Sequence, residues 1–270
     1  MEINYFVRRL SLSLLLLTAF CLSGSAQTPF VTDDADVTDK GKLHFEVINE
    51  YDVLQPALNP NLRQDAAISR FTYGIAKHVE IGVDVPIVAI FNASGTVPQR
   101  AFGFSDVGLH VKVKFNEEKE GSRLPSFAAA FSIRFPTGNA ANSLGSGITN
   151  YQLYGVAQKS ITKKVKIRAN AGMLFAGNTV FGALGVRSAS GKLFSGGISV
   201  VKQFNEKLKL GTELVGVASS SFQLSKGQLQ STFGGNYNLK KNLALDFGFI
   251  IGRFPASPRV GLLMGFSYDF

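Results

Sequence analysis

Residues 259–270 read Arg259-Val260-Gly261-Leu262-Leu263-Met264-Gly265-Phe266-Ser267-Tyr268-Asp269-Phe270. Every second position is large and apolar, and the positions between carry Arg, Gly, Ser and Asp, with Leu263 the one exception. A period of two places the apolar set on one face of an extended strand and the rest on the other. The same alternation runs through Val79 to Ile87, Asp106 to Phe115 and Leu243 to Ile251. Over these four stretches all 21 positions of one phase are Val, Ile, Leu, Met, Phe or Tyr, whereas the other phase has 2 strongly apolar residues in 19, Ile250 and Leu263.

Carried along the chain, the pattern gives twelve candidate strands, near 42–52, 66–75, 79–88, 104–115, 125–135, 150–160, 165–175, 192–204, 208–219, 228–239, 243–254 and 258–270. Their connections mostly alternate between short turns, such as Ala76 to His78 and Ile161 to Lys164, and long Gly/Ser/Asn/Pro-rich loops, such as Ala89 to Gly103 and Pro136 to Thr149. A soluble sandwich does not predict that alternation. It is the signature of an all-β, up-and-down antiparallel transmembrane β-barrel of about 12 strands, with short turns at one end and long loops at the other. The apolar face then meets lipid and the opposite face lines water. Composition agrees: 45% hydrophobic, 17% charged, Gly 28 and Phe 23 suit strands and turns better than helices or disorder. No apolar run of the length of a membrane helix follows the first segment. The net charge of +9 permits an anionic partner without naming one.

At the N-terminus Arg8 and Arg9 precede an apolar run from Leu10 to Phe20 and small residues through Ala26, the form of a secretory signal peptide cleaved after Ala26. Cys21 raises a lipoprotein reading, against which bulky Phe20 stands. With Cys21 removed, disulfides, thiolate metal sites and a Cys nucleophile are excluded together. The chain divides into a signal peptide (1–26), an N-terminal periplasmic or lumen segment (27–41) and a barrel (42–270). The final strand, with Gly265, Tyr268 and a terminal Phe270, resembles the strand that the assembly machinery of Gram-negative outer-membrane barrels reads. The expected location is the Gram-negative outer membrane, with outer-membrane lipid, lipopolysaccharide and the barrel assembly machinery as partners and no nucleic acid. Tyr51, Tyr73, Tyr151 and Tyr237 fall near strand ends, where aromatic girdles form.

Several short motifs occur in order: Phe30-Val31-Thr32-Asp33-Asp34, Gly41-Lys42 leading to Glu46 and Glu50, Tyr73-Gly74-Ile75 to Val85-Pro86, Ser105-Asp106-Val107-Gly108-Leu109, Phe135-Pro136-Thr137-Gly138-Asn139 and Leu144-Gly145-Ser146-Gly147. Together they resemble the transporter-like outer-membrane family named after the meta-pathway of phenol degradation. The resemblance spans nearly the whole mature chain and implies a barrel that admits hydrophobic or aromatic compounds. It supplies no substrate, catalytic motif or cofactor.

Strand phase directs Arg70, Asp84, Lys112, Arg134, Arg168, Asp246 and Arg259 toward the lumen, where they are the candidate lining of a passive or gated path for small hydrophobic solutes. Basic and acidic lumen positions are nearly balanced, so they are also able to pair across a narrow lumen and close it. The sealed structural or adhesive barrel is the alternative. A lipid hydrolase would need Ser and His on the outer surface, and phase turns His44 and His110 inward, with His78 in a turn, so no enzyme is expected. The cluster Asp33, Asp34, Asp36 and Asp39 lacks the ligand spacing and glycine of a calcium loop and fits a solvated or lumen-inserted segment better. Gly145-Ser146-Gly147 and Ser190-Gly191-Lys192 precede no helical pattern and read as hairpin loops rather than phosphate loops.

Overall fold

The structure, a computed structural model, describes residues 29–57, 61–93, 99–176, 191–219 and 227–270. The expected signal peptide, Cys21 within it, Thr28 and Ser190 lie outside these residues. In chain order the strands are β1 Leu43–Leu54, β2 Arg63–Ala76, β3 Val79–Phe91, β4 Arg100–Phe104, β5 Gly108–Asn116, β6 Ser126–Arg134, β7 Asn150–Thr162, β8 Val165–Ala176, β9 Gly191–Gln203, β10 Leu208–Ser219, β11 Gln228–Lys240, β12 Leu243–Gly252 and β13 Pro258–Asp269. Strands pair antiparallel with their neighbours in the barrel wall. β1 pairs with β2 on one side and β13 on the other, and β2 with β3, so the sheet closes on itself.

β4 and β5 share one place in the wall. β4 pairs with Ile87–Phe91 of β3 and β5 with Val79–Asp84, so the thirteen strands fill twelve positions. The stretch expected as one strand over 104–115 is broken at 105–107, where the Asp106 side chain binds a loop instead of continuing the ladder. Closure leaves no exposed edge over most of the wall, the usual solution for a large antiparallel sheet.

Alternation in sequence becomes alternation in exposure. On β1, His44, Glu46, Ile48, Glu50, Asp52 and Leu54 are buried and the residues between them are half-buried. Outside, Phe71, Leu109, Phe131, Leu153, Phe247 and Leu262 are exposed, as are Tyr73, Tyr151 and Tyr237. Polar residues inside and a continuous apolar surface outside invert the arrangement of a water-soluble protein, and a bilayer is the medium that covers such a face. The two exceptions to the sequence pattern explain each other. Ile250 and Leu263 both point inward and pack with Ile48 in one small apolar cluster.

β13 closes the barrel against β1. Phe266 lies edge-on to Phe45 at 5.8 Å, Phe45 stacks on Phe71 at 4.7 Å, and the Phe270 N–H donates to the Leu43 carbonyl at 2.9 Å. Gly265 sits where β13 and β1 approach: a Cβ built there would run into the Val47 carbonyl oxygen and come within 3.2 Å of Ile48 Cα. Gly265→Val is therefore expected to lower the temperature at which the barrel loses its compact migration on gels. Gly155→Ala, where an added Cβ meets nothing within 4 Å, leaves that temperature unchanged.

Candidate functional site

Residues 29–39 run through the inside of the barrel. Thr32 and Ala35 are fully buried, and Asp34 is 7% exposed. At one wall the backbone N–H groups of Val31 and Thr32 donate to the Glu213 carboxylate of β10 at 3.1 and 2.8 Å. At the other, the Thr38 N–H donates to Glu80 of β3 at 2.6 Å. The aspartates between these anchors face the basic side of the wall. Asp33 pairs with Lys112 at 3.1 Å and accepts from the Tyr154 hydroxyl at 3.0 Å. Asp34 pairs with Arg168 at 3.3 Å. Asp36 pairs with Lys114 at 3.5 Å and Lys166 at 3.9 Å, and accepts from Gln158 at 3.1 Å. Burial pushes the Asp33 carboxyl up, but the Lys112 ammonium and the hydrogen bonds from Lys112 and Tyr154 outweigh it and hold the group below its ordinary range. The segment leaves the lumen at Gly41, whose φ of 79° and N–H bond to the Gly74 carbonyl turn it into β1.

Six of the seven residues read as lumen-lining lie inside the barrel. Arg70 grips Asp84 at 2.8 Å and reaches Glu46 at 3.4 Å. Lys112 also meets Glu80 at 3.2 Å. Arg134 lines the lumen cavity and makes no salt bridge among the described residues, Arg168 binds the segment, and Asp246 is 2% exposed, level with Asn236 of β11. Arg259 is the correction. It is exposed, because the register shifts between Val53 and Leu54, pairing them with Val260 and Pro258 and leaving Arg259 without a place in the ladder. A bulge of this kind breaks the phase from which its inward direction was read.

Among the described residues, Arg70 pairs with Glu46 and Asp84 on the neighbouring strands and Lys112 with Glu80, while Asp33, Asp34 and Asp36 of the inserted segment meet Lys112, Arg168, Lys114 and Lys166. Lys112, Lys114, Lys166, Arg168 and Lys209 concentrate on β5, β8 and β10, with Glu213 of β10 among them, and Glu46, Glu50, Asp52 and Asp246 lie on β1 and β12. His44 and His110 face inward, His44 with its Nδ1 2.7 Å from Asp269 and His110 3.8 Å from Asp84. A cavity of ≈ 200 Å³ remains beside the segment, bounded by Arg70, Arg134 and His110 on its polar side and by Ile48, Ile68 and Leu263 on its apolar side.

The long-loop end is covered separately. Asp106 accepts from the Gly138 N–H at 3.0 Å with one oxygen and from the Ser146 N–H at 2.7 Å with the other. Phe135 N–H donates to the Val107 carbonyl at 2.8 Å, and the Thr137 hydroxyl donates to that of Ser105 at 3.0 Å. Gly138 and Gly145 let two backbones meet, since a Cβ on Gly145 would strike both Asp106 and Gly138. Three motifs separated in sequence thus form one knot around a carboxylate. It holds Leu144 inward against Leu54, Leu62, Ala66, Val88, Ile90 and Ala93, an apolar cluster at the mouth. Asp106→Ala removes two charge-assisted bonds worth about 2 kcal/mol together after water replaces them. The expected result is faster cleavage of the 139–145 loop by added protease in intact barrels, with unchanged gel migration.

Sequence reasoning missed Glu213, Tyr154 and Gln158 as holders of the segment. The signal was there in part: all three fall on the inward phase of their strands, and an inward Tyr among Gln152, Val156 and Gln158 has no lipid-facing role.

Residues 29–270 match the family described as "Putative MetA-pathway of phenol degradation". Among solved structures, an outer membrane channel from Pseudomonas putida F1 is similar with a TM-score of 0.69 at 14% identity, covering 88% of this chain and 98% of that one. The translocator domain of the autotransporter NalP from Neisseria meningitidis is similar with a TM-score of 0.51 at 8% identity, covering 85% and 88%. At these identities the likeness is one of fold. Comparison with curated proteins gives no match.

Proposed function

Given that this chain belongs to the phenol-degradation MetA-pathway family, we propose that it is an outer-membrane channel through which small hydrophobic or aromatic molecules diffuse, gated by the lumen segment at 29–39. The observation that carries this reading is the lumen itself. It holds a cavity with an apolar side built from Ile48, Ile68, Ile250 and Leu263, and its outer mouth is lined by the apolar cluster around Leu144. A hydrated ion gains little from such a mouth, whereas an apolar solute loses no hydrogen bonds in crossing it. Passage makes or breaks no bond. The chain is exported by a signal peptide cleaved after Ala26 and inserted by the barrel assembly machinery, which reads β13 through Gly265, Tyr268 and Phe270; outer-membrane lipid and lipopolysaccharide then cover the apolar face.

Proteoliposomes carrying the barrel are expected to take up phenol faster than protein-free vesicles while a sugar of similar size gains nothing. Equal entry of both solutes would make it a general porin. The second reading, a sealed structural barrel, is favoured by the number of bonds fastening the segment, and absence of both uptake and conductance from a correctly folded barrel would establish it.

A further inference from the structure

The basic side of the lumen has the donors of an anion site. Lys112 and Arg168, with side chains 3% and 9% exposed, are held out of bulk water together, and Lys114 and Lys166 continue the lane toward the short-turn end. Neutral donors stand among them: the Tyr154 hydroxyl donates to Asp33 and the Gln158 amide to Asp36. Gln158 is itself oriented by Arg168, whose Nε donates to its carbonyl oxygen at 3.1 Å. Among the described residues, Glu80 of the wall meets Lys112 at 3.2 Å and Glu117, just past the end of β5, meets Lys114 at 3.9 Å. Asp33, Asp34 and Asp36, which pair with Lys112, Arg168, Lys114 and Lys166, belong to the inserted segment and not to the wall.

We propose that this lane is a binding site for small organic carboxylates, which Asp33, Asp34 and Asp36 occupy as tethered competitors, so that an entering carboxylate exchanges with the segment. The proposal rests on the channel reading and adds a ligand class to it. The neighbouring cavity specifies the rest of the ligand. It is bounded by Asp33, Asp34, Lys112 and Arg168 at one side and by Ile48, Ile68, Ile250 and Leu263 at another. A molecule with one carboxylate and a flat apolar body would place its charge on Lys112 and Arg168 and its body on the isoleucines.

Charge bookkeeping decides between ligand classes. Withdrawing the segment without a substitute would take its carboxylates away from buried cations, which is strongly unfavourable. A carboxylate bridging Lys112 and Arg168 stands in for Asp33 and Asp34 at the two most buried cations, while loss of Asp36 leaves Lys114 with Glu117 and Lys166, 46% exposed, to water, so the exchange costs little and is governed by concentration. A flexible tether of this length presents its carboxylates at an effective concentration on the order of millimolar, so free ligand competes in the millimolar range. A neutral phenol offers no charge and does not exchange.

The test uses the whole barrel with one reporter, Thr32→Cys, at a fully buried position of the segment. Labelling by a neutral water-soluble maleimide is expected to accelerate about tenfold in about 10 mM benzoate, and not in phenol or in chloride at matched ionic strength. Equal acceleration by chloride would mean simple screening and would overturn the site, as would no response to benzoate. A second measurement needs no reporter: in planar bilayers benzoate, and not chloride, raises the open fraction of the unaltered channel. Phenol uptake by the same preparation separates the two readings. Phenol entry with no benzoate response sinks the site alone; a benzoate response without phenol entry sinks the hydrophobic conduit and leaves the site.

Discussion

Replacing Asp33, Asp34 and Asp36 together by asparagine is expected to raise mean conductance in planar bilayers about tenfold and to shift selectivity toward anions. Asparagine keeps the size of the side chain and still accepts from Tyr154 and Gln158, so the change isolates charge. The side chains of Asp34, 8% exposed, and Asp33, 20% exposed, lose charge-assisted bonds worth about 1.5 kcal/mol each. Asp36 is 41% exposed and its pairs are 3.5 and 3.9 Å long, so solvent leaves it well under 1 kcal/mol. A loss of about 3 kcal/mol is enough to move a closed equilibrium by two decades, less whatever the Glu213 and Glu80 anchors retain. Unchanged conductance in the triple variant would show that the segment is a fixture and not a gate.

The same contact fixes the pH dependence. A group whose pKa is lower in the assembled state stabilises that state above its ordinary value, and the contribution disappears as pH falls through the lowered one. Asp33 is such a group, because its Lys112 and Tyr154 bonds outweigh burial. Conductance of the unaltered channel is therefore expected to stay level down to about pH 4 and to rise only in stronger acid. Opening already at pH 6 would mean that another group holds the gate.

Strand existence, direction and inward face were legible because a barrel wall imposes a period of two on nearly every residue it contains. Eleven expected strands match single strands within a few residues. The twelfth, at 104–115, is divided because Asp106 spends its side chain on the 138–146 loop, a contact between residues about 30 to 40 apart that no local period records. Arg259 departs for a related reason: it is the extra residue of a bulge on β13, opposite Val53 and Leu54, and the alternation of residues 259–270 runs through it without a break. The acidic segment could be read as inserted or solvated, but its anchors lie on five different strands, so only closure of the barrel brings Glu80, Lys112, Tyr154, Arg168 and Glu213 around it. The ordered motifs that carried the family resemblance are of three kinds. Those at 105–109, 135–139 and 144–147 build the cap over the mouth, the one at 30–34 lies in the plug, and those at Gly41-Lys42 and Tyr73-Gly74-Ile75 bond to each other where the segment enters β1.

Lys112→Met is expected to be the most destabilising single change in the lumen, lowering the thermal midpoint of the barrel clearly, while Lys166→Met is nearly silent. Lys112 is 3% exposed and lies 3.1 Å from Asp33, 3.2 Å from Glu80 and 3.8 Å from Asp34. Removing its charge leaves Glu80, 3% exposed, as a buried carboxylate without its cation, and breaking a buried pair from one side costs about 3 kcal/mol. Lys166 is 46% exposed and its partner Asp36 is 3.9 Å away, so its loss is worth about 0.5 kcal/mol or less. The rescue separates burial from packing. Adding Glu80→Gln and Asp33→Asn to Lys112→Met removes the stranded charges, and the midpoint is expected to recover most of the loss even though no bond has been restored. If it does not recover, the lysine stem rather than its ammonium holds the wall. If Lys112→Met is as mild as Lys166→Met from the start, water reaches this height of the lumen, and the closed state is wetter than its packing indicates.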